Sequence, residues 1–68
     1  MSVVVSDPEI LGGVLIFSGT RVPVRNLFDY LVAGQALSEF LDDFPTVSFE
    51  QAKHVLKSAE VAYESSAA

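Results

Sequence analysis

Pro23, Gly34 and Pro45 punctuate the C-terminal two-thirds of this 68-residue chain and limit it to short helices. Proline suits the first turn of a helix, where its missing N–H would have no partner anyway, and it halts a helix that runs into it. A glycine just past a periodic segment supplies the left-handed residue that ends it. Between these marks Val24, Leu27, Phe28, Leu31 and Val32 recur at i, i+3, i+4, i+7 and i+8, which predicts a first helix over 23–33. Ser38 as cap, Glu39 at the positive end and apolar Phe40, Leu41 and Phe44 predict a second, stopped by Pro45. Ser48-Phe49-Glu50-Gln51 fits a capping box. Ala52, Val55, Leu56, Ala59, Ala62 and Tyr63 follow it at core spacing and predict a third helix over 49–64. Helices this short are marginal alone, so the three stripes must bury one another.

Residues 1–22 have a different texture, β-branched and broken by glycine. Val3-Val4-Val5 reads as a short strand ended by Asp7-Pro8, because Pro8 has no N–H to pair. Gly12-Gly13 reads as a turn or a bulge. Val14-Leu15-Ile16-Phe17 and Thr20-Arg21-Val22 flank Ser18-Gly19, which predicts a hairpin between those two runs. The expected fold is mainly α and a single domain: a β-hairpin arm over 1–22, a three-helix bundle over 23–64 and a frayed tail over 65–68. The short second helix, the Pro45-Thr46-Val47 turn and the capped third helix resemble a helix-turn-helix unit.

Half of the residues are hydrophobic, so the chain should fold rather than stay disordered. With no cysteine and one histidine it can build neither a disulfide nor a zinc site. A small apolar-rich domain without such staples is expected to complete its core against another chain, as a homodimer. Nine acidic residues against four basic ones give a net charge of −5, which opposes indiscriminate nucleic-acid binding. The start lacks the basic and apolar regions of a signal peptide, and no apolar run nears the roughly 18 residues of a membrane span. The expectation is a cytoplasmic protein without membrane contact. No nucleophile–base pair, phosphate loop or metal motif is present, and the adjacent Asp42 and Asp43 would point apart on a helix. The chain therefore reads as no enzyme, with no cofactor and no small-molecule substrate.

From Asp7 to about Tyr63 the chain resembles the domain-of-unknown-function-433 family. The matching residues are Gly12-Gly13, Ser18-Gly19-Thr20-Arg21-Val22-Pro23-Val24, Leu31-Val32-Ala33-Gly34, Ser38-Glu39-Phe40, Asp43-Phe44-Pro45 and Ser48-Phe49-Glu50-Gln51-Ala52. The resemblance implies a three-helix, homeodomain-like domain with an N-terminal β-hairpin. It also implies an antitoxin similar to the VapB type, paired with a PIN-like ribonuclease toxin and repressing its own operon. Val14 and Leu15 depart from the family pattern, which usually has a basic residue and a proline there.

Two sets of residues are candidates for contact. Arg25, Ser48, Gln51, Lys53, His54 and Lys57 would form a nucleic-acid face if the third helix enters a major groove of operator DNA. The plain alternative is a solvated face, with Gln51 held by the capping box. Val3, Val4, Val5, Val14, Ile16 and Arg21 would form a partner or dimer interface, the strand edge pairing with another chain. In the alternative, one face of the strands packs on the helices and Arg21 pairs with Asp7, Asp29 or another acid of its own domain. As a partner contact, the Arg21 guanidinium suits a phosphate or the carboxylate-lined site of a metal-dependent ribonuclease.

Overall fold

The computed structural model describes residues 2–67. Strand β1 (Val4–Ser6) is followed by a 3₁₀ turn (Leu11–Gly13), strand β2 (Leu15–Phe17) and helices α1 (Val24–Val32), α2 (Leu37–Asp43) and α3 (Phe49–Ala67). The fold is thus mainly helical, with an N-terminal antiparallel hairpin. The expected tail is helical through Ala67, and Ala68 lies outside the described residues.

The hairpin forms between strands other than those the turn signal suggested. β1 pairs with β2 in the register Val4↔Phe17, Val5↔Ile16 and Ser6↔Leu15, while Thr20–Val22 is no strand. Asp7 opens the connection by accepting from the Ile10 N–H at its carbonyl and from the Glu9 N–H at Oδ1, both at 2.9 Å. The Ser18-Gly19 turn does form, but the Thr20 hydroxyl holds both of its sides. It donates to the Phe17 carbonyl at 2.8 Å and accepts from the Val22 N–H at 3.0 Å. Pro23 then has no N–H to extend a ladder, so the return run makes only the isolated bridge Ile16↔Pro23.

Pro23 stands immediately before α1, and Gly34 (φ +84°) ends it. The Gly34 N–H donates to the Leu31 carbonyl at 3.0 Å and the Gln35 N–H to Tyr30 at 2.9 Å, the paired bonds of a Schellman motif. Val24 and Leu27 are buried, whereas Val32, expected in the stripe, is 87% exposed. The cap of α2 is Ala36 and not Ser38. Starting at Leu37 lets that side chain join the core along with the fully buried Phe40.

The core joins β2, α1, α2 and the first turns of α3 through Phe17, Val22, Val24, Leu27, Phe40, Val47 and Ala52. Phe40 is its hub. Its ring lies 6.1 Å from Phe17, 5.1 Å from Phe44 and 5.4 Å, edge-on, from Tyr30, separations at which aromatic pairs add to their burial. Val55 and Leu56 pack against this cluster from α3. Ala59, Ala62 and Tyr63 do not, although their spacing marked them as core. The bundle ends below them, and all three are exposed.

Candidate functional site

Arg21 leaves the Ser18–Thr20 turn with its side chain exposed, and it makes no ion pair among the described residues. It borders a shallow groove whose walls are Val5 and Ile10 from the N-terminal arm, Ile16 from β2, and Phe44 and Thr46 from the α2–α3 connection. Asp7 also reaches this groove without pairing with Arg21, and Asp29 pairs instead with Arg25 at 4.0 Å. An apolar trough bordered by one unneutralised guanidinium can hold a partner that brings an apolar surface and an acidic group.

The rest of the expected partner set divides by strand face. Val5, Val14 and Leu15 are between 39% and 47% exposed and remain available. Ile16 is 1% exposed and Val4 is half-buried against the core, so their own domain already covers most of both side chains. Val4 stands opposite Phe17 and shares its buried face. Val3 contributes its carbonyl, which accepts from the Ser18 N–H at 2.9 Å.

Gln51 is fully occupied inside the domain. Its Oε1 accepts from the Ser48 N–H at 3.0 Å and its own N–H donates to Ser48 Oγ at 3.1 Å, completing the capping box. Its Nε2 donates to the carbonyls of Ser18 (3.0 Å) and Val3 (3.4 Å). Gln51 and Ser48 therefore start α3 and clamp the hairpin to it, which leaves no free amide to read a base. Lys53, His54 and Lys57 are exposed and border one depression with Val3 and Glu50. Lys53 pairs with Glu50 at 3.8 Å and Lys57 with Glu60, all on the surface. Arg25 lies apart from them on α1.

Among the described residues no polar or charged side chain is buried and no three acidic, histidine or cysteine side chains gather as a metal site. No helix is long and apolar enough to cross a membrane. The sequence did not mark Ile10, Phe44 or Thr46 as contact residues, Phe44 being read as helix core and Thr46 as turn. They come from two separate connections, β1–β2 and α2–α3, and only tertiary packing gathers them around Arg21.

The family model described as a protein of unknown function (DUF433) matches residues 4–59. The chain belongs to the DUF433 family. The match covers the hairpin, α1, α2 and the part of α3 that touches the core, so in this DUF433 protein the distal part of α3 lies beyond the family pattern. The chain is also 37% identical over 49 residues to the uncharacterized protein y4eO of Sinorhizobium fredii (strain NBRC 101917 / NGR234). That stretch is 72% of this chain and 22% of the relative. No solved structure matches it.

Proposed function

We propose that this DUF433 protein is an interaction module of the cytoplasm, the antitoxin of a toxin–antitoxin pair, and that it masks a PIN-like ribonuclease by direct binding. The observation that carries the reading is Arg21, an unpaired guanidinium at the edge of an apolar groove. Such a nuclease holds its metal with clustered carboxylates, and a bidentate arginine fits that chemistry. The net charge of −5 would steer the domain towards a basic RNA-binding surface. The chain performs no chemistry in this mechanism; it occludes. Co-expression with the product of the adjacent reading frame tests it. The expected result is a neighbour that is toxic alone, silent and co-purified with this chain, and toxic again beside Arg21→Glu. A neighbour that is harmless alone, or not retained, ends the antitoxin reading.

A second reading, a helix-turn-helix regulator of its own operon, draws support from the shared exposed face of Lys53, His54 and Lys57. Four Lys and Arg per chain make eight in a pair of chains, enough for salt-sensitive binding to operator DNA only as a dimer. This reading expects promoter affinity that falls steeply with salt and is lost in Lys53→Glu with Lys57→Glu. Promoter binding unchanged in that double variant removes α3 as the reader. Promoter binding absent from the native chain leaves an adaptor domain that keeps the shape without nucleic-acid contact.

A further inference from the structure

Among the described residues Leu11 is the one non-glycine with a positive φ, +51°, a left-handed conformation that crowds the Cβ of an L-residue. Gly12 and Gly13 follow it at +70° and +90°, so three left-handed residues stand in succession. The loop is tied down on both sides of Leu11. The Gly13 N–H donates to the Ile10 carbonyl at 3.1 Å, the Ile10 N–H to the Asp7 carbonyl, and the Ser6 hydroxyl to the Gly13 carbonyl. Glycine or asparagine suits such a position, and the leucine there gains no place in the core. At 56% exposure it is the most exposed large aliphatic side chain of residues 2–22. Strain of this kind persists where the surroundings fix it, and it gathers at binding sites.

The charges of the same loop indicate what Leu11 meets. Asp7 and Glu9 lie in the stretch that leads to it, and residues 2–20 contain no base. Asp7 lines the groove that Arg21 borders, as do Val5 and Ile10, so loop and groove are continuous. The surface therefore sets one guanidinium beside an apolar trough, with two carboxylates and an exposed leucine beyond it. A second copy does not complement this pattern. An isologous contact between two arms would set acids against acids, and Arg25, Lys53 and Lys57 already have acidic partners in their own chain. The partner that fits has carboxylates opposite Arg21, basic side chains around them and an apolar hollow within reach of Leu11. A metal-dependent ribonuclease carries that alternation of sign, with acids around its metal and bases where it holds the RNA backbone.

We infer that the loop from Asp7 to Leu11 is a second contact to the nuclease, with Leu11 as apolar anchor and Asp7 and Glu9 on the basic rim, in place of RNA phosphates. The identity of the partner rests on the antitoxin reading; the anchor role of Leu11 is tested separately. The experiment uses the full chain and the product of the adjacent reading frame. Leu11→Asn keeps a residue that accepts positive φ and removes the apolar side chain. Its melting temperature should match or exceed that of the native chain. Its affinity for the nuclease should fall by about tenfold, the worth of the exposed half of a leucine taken out of water. Leu11→Met should keep the native affinity. Glu9→Lys should slow association and flatten its dependence on salt. Native affinity in Leu11→Asn, or a lowered melting temperature there, overturns the anchor and leaves the antitoxin reading standing. Association unchanged in Glu9→Lys overturns the placement on a basic rim. A neighbour that the native chain does not retain removes both the antitoxin reading and this contact.

Discussion

The Tyr30 hydroxyl donates to Asp43 Oδ2 at 2.6 Å, joining the last turn of α1 to the last residue of α2. An acidic residue at a helix C-terminus opposes the dipole by a few tenths of a kcal/mol, and nothing in the sequence explains why two stand there. This bond supplies the reason for Asp43. The Asp43 carboxylate needs the phenol neutral, so the hydrogen bond, followed by burial and the nearby charges of Asp43 and Glu39, raises the Tyr30 pKa above 10.0. The folded chain then holds this proton more tightly than the unfolded one. Its stabilising effect is whole below pH 10.0 and disappears as pH rises through the higher folded value. In a Tyr63→Phe background, Asp43→Asn should move the phenolate absorbance transition down towards 10.0. The alkaline loss of thermal stability should be shallower in Tyr30→Phe than in the native chain. A transition that ignores Asp43→Asn would refute the coupling.

Gln51→Ala removes the reciprocal cap and the clamp on the hairpin together. A lost cap costs about 1 kcal/mol and a lost internal hydrogen bond about the same, so urea unfolding should show roughly 2 kcal/mol of destabilisation. Gln51→Glu separates the two roles. It keeps an acceptor for Ser48 but aims a carboxylate at the carbonyls of Ser18 and Val3. That variant should keep α3 capped and still lose stability.

Phe40 and Val32 make a controlled contrast. Phe40→Ala empties the centre of the aromatic cluster and should cost roughly 3–5 kcal/mol, enough to abolish cooperative melting in so small a domain. Val32→Ala removes a side chain that meets water and should stay within about 0.5 kcal/mol. Paired calorimetric scans check both values.

Gly34→Ala isolates backbone strain. Nothing lies within 4 Å of the added Cβ, but φ is +84°, a region that costs an L-residue about 1–2 kcal/mol. The melting temperature should fall with no change in the near-ultraviolet spectrum.

Local signals proved legible where the chain itself supplies both partners of an interaction. The Ser48–Gln51 capping box, the Gly34 helix end and the helical stripe through Val24 and Leu27 are contacts a few residues apart, and each forms as the residue spacing indicates. The difficulties began where distant segments compete for the same groups. Ser18-Gly19 marks a turn correctly, but whether β2 pairs forwards with Thr20–Val22 or backwards with β1 depends on a hydroxyl, a proline and an arm that are not read together. The heptad-like run along α3 states which face is apolar and is silent about where the bundle stops. Val55 and Ala59 look alike in sequence, and only one of them meets the core. The candidate site is legible in proportion: Arg21 stood out, whereas the groove around it is a product of packing.

The side-chain amide of Gln51 binds two stretches of backbone near the N-terminus while it also holds the first turn of α3. An arm that peels away must therefore release the donor side of this group and loosen the acceptor side with it. The hairpin and the long helix thus share one opening event. Amide hydrogens of the Val3–Ser18 region and of the α3 start should exchange with solvent at matched rates, so whatever grips one end of the molecule quietens the other.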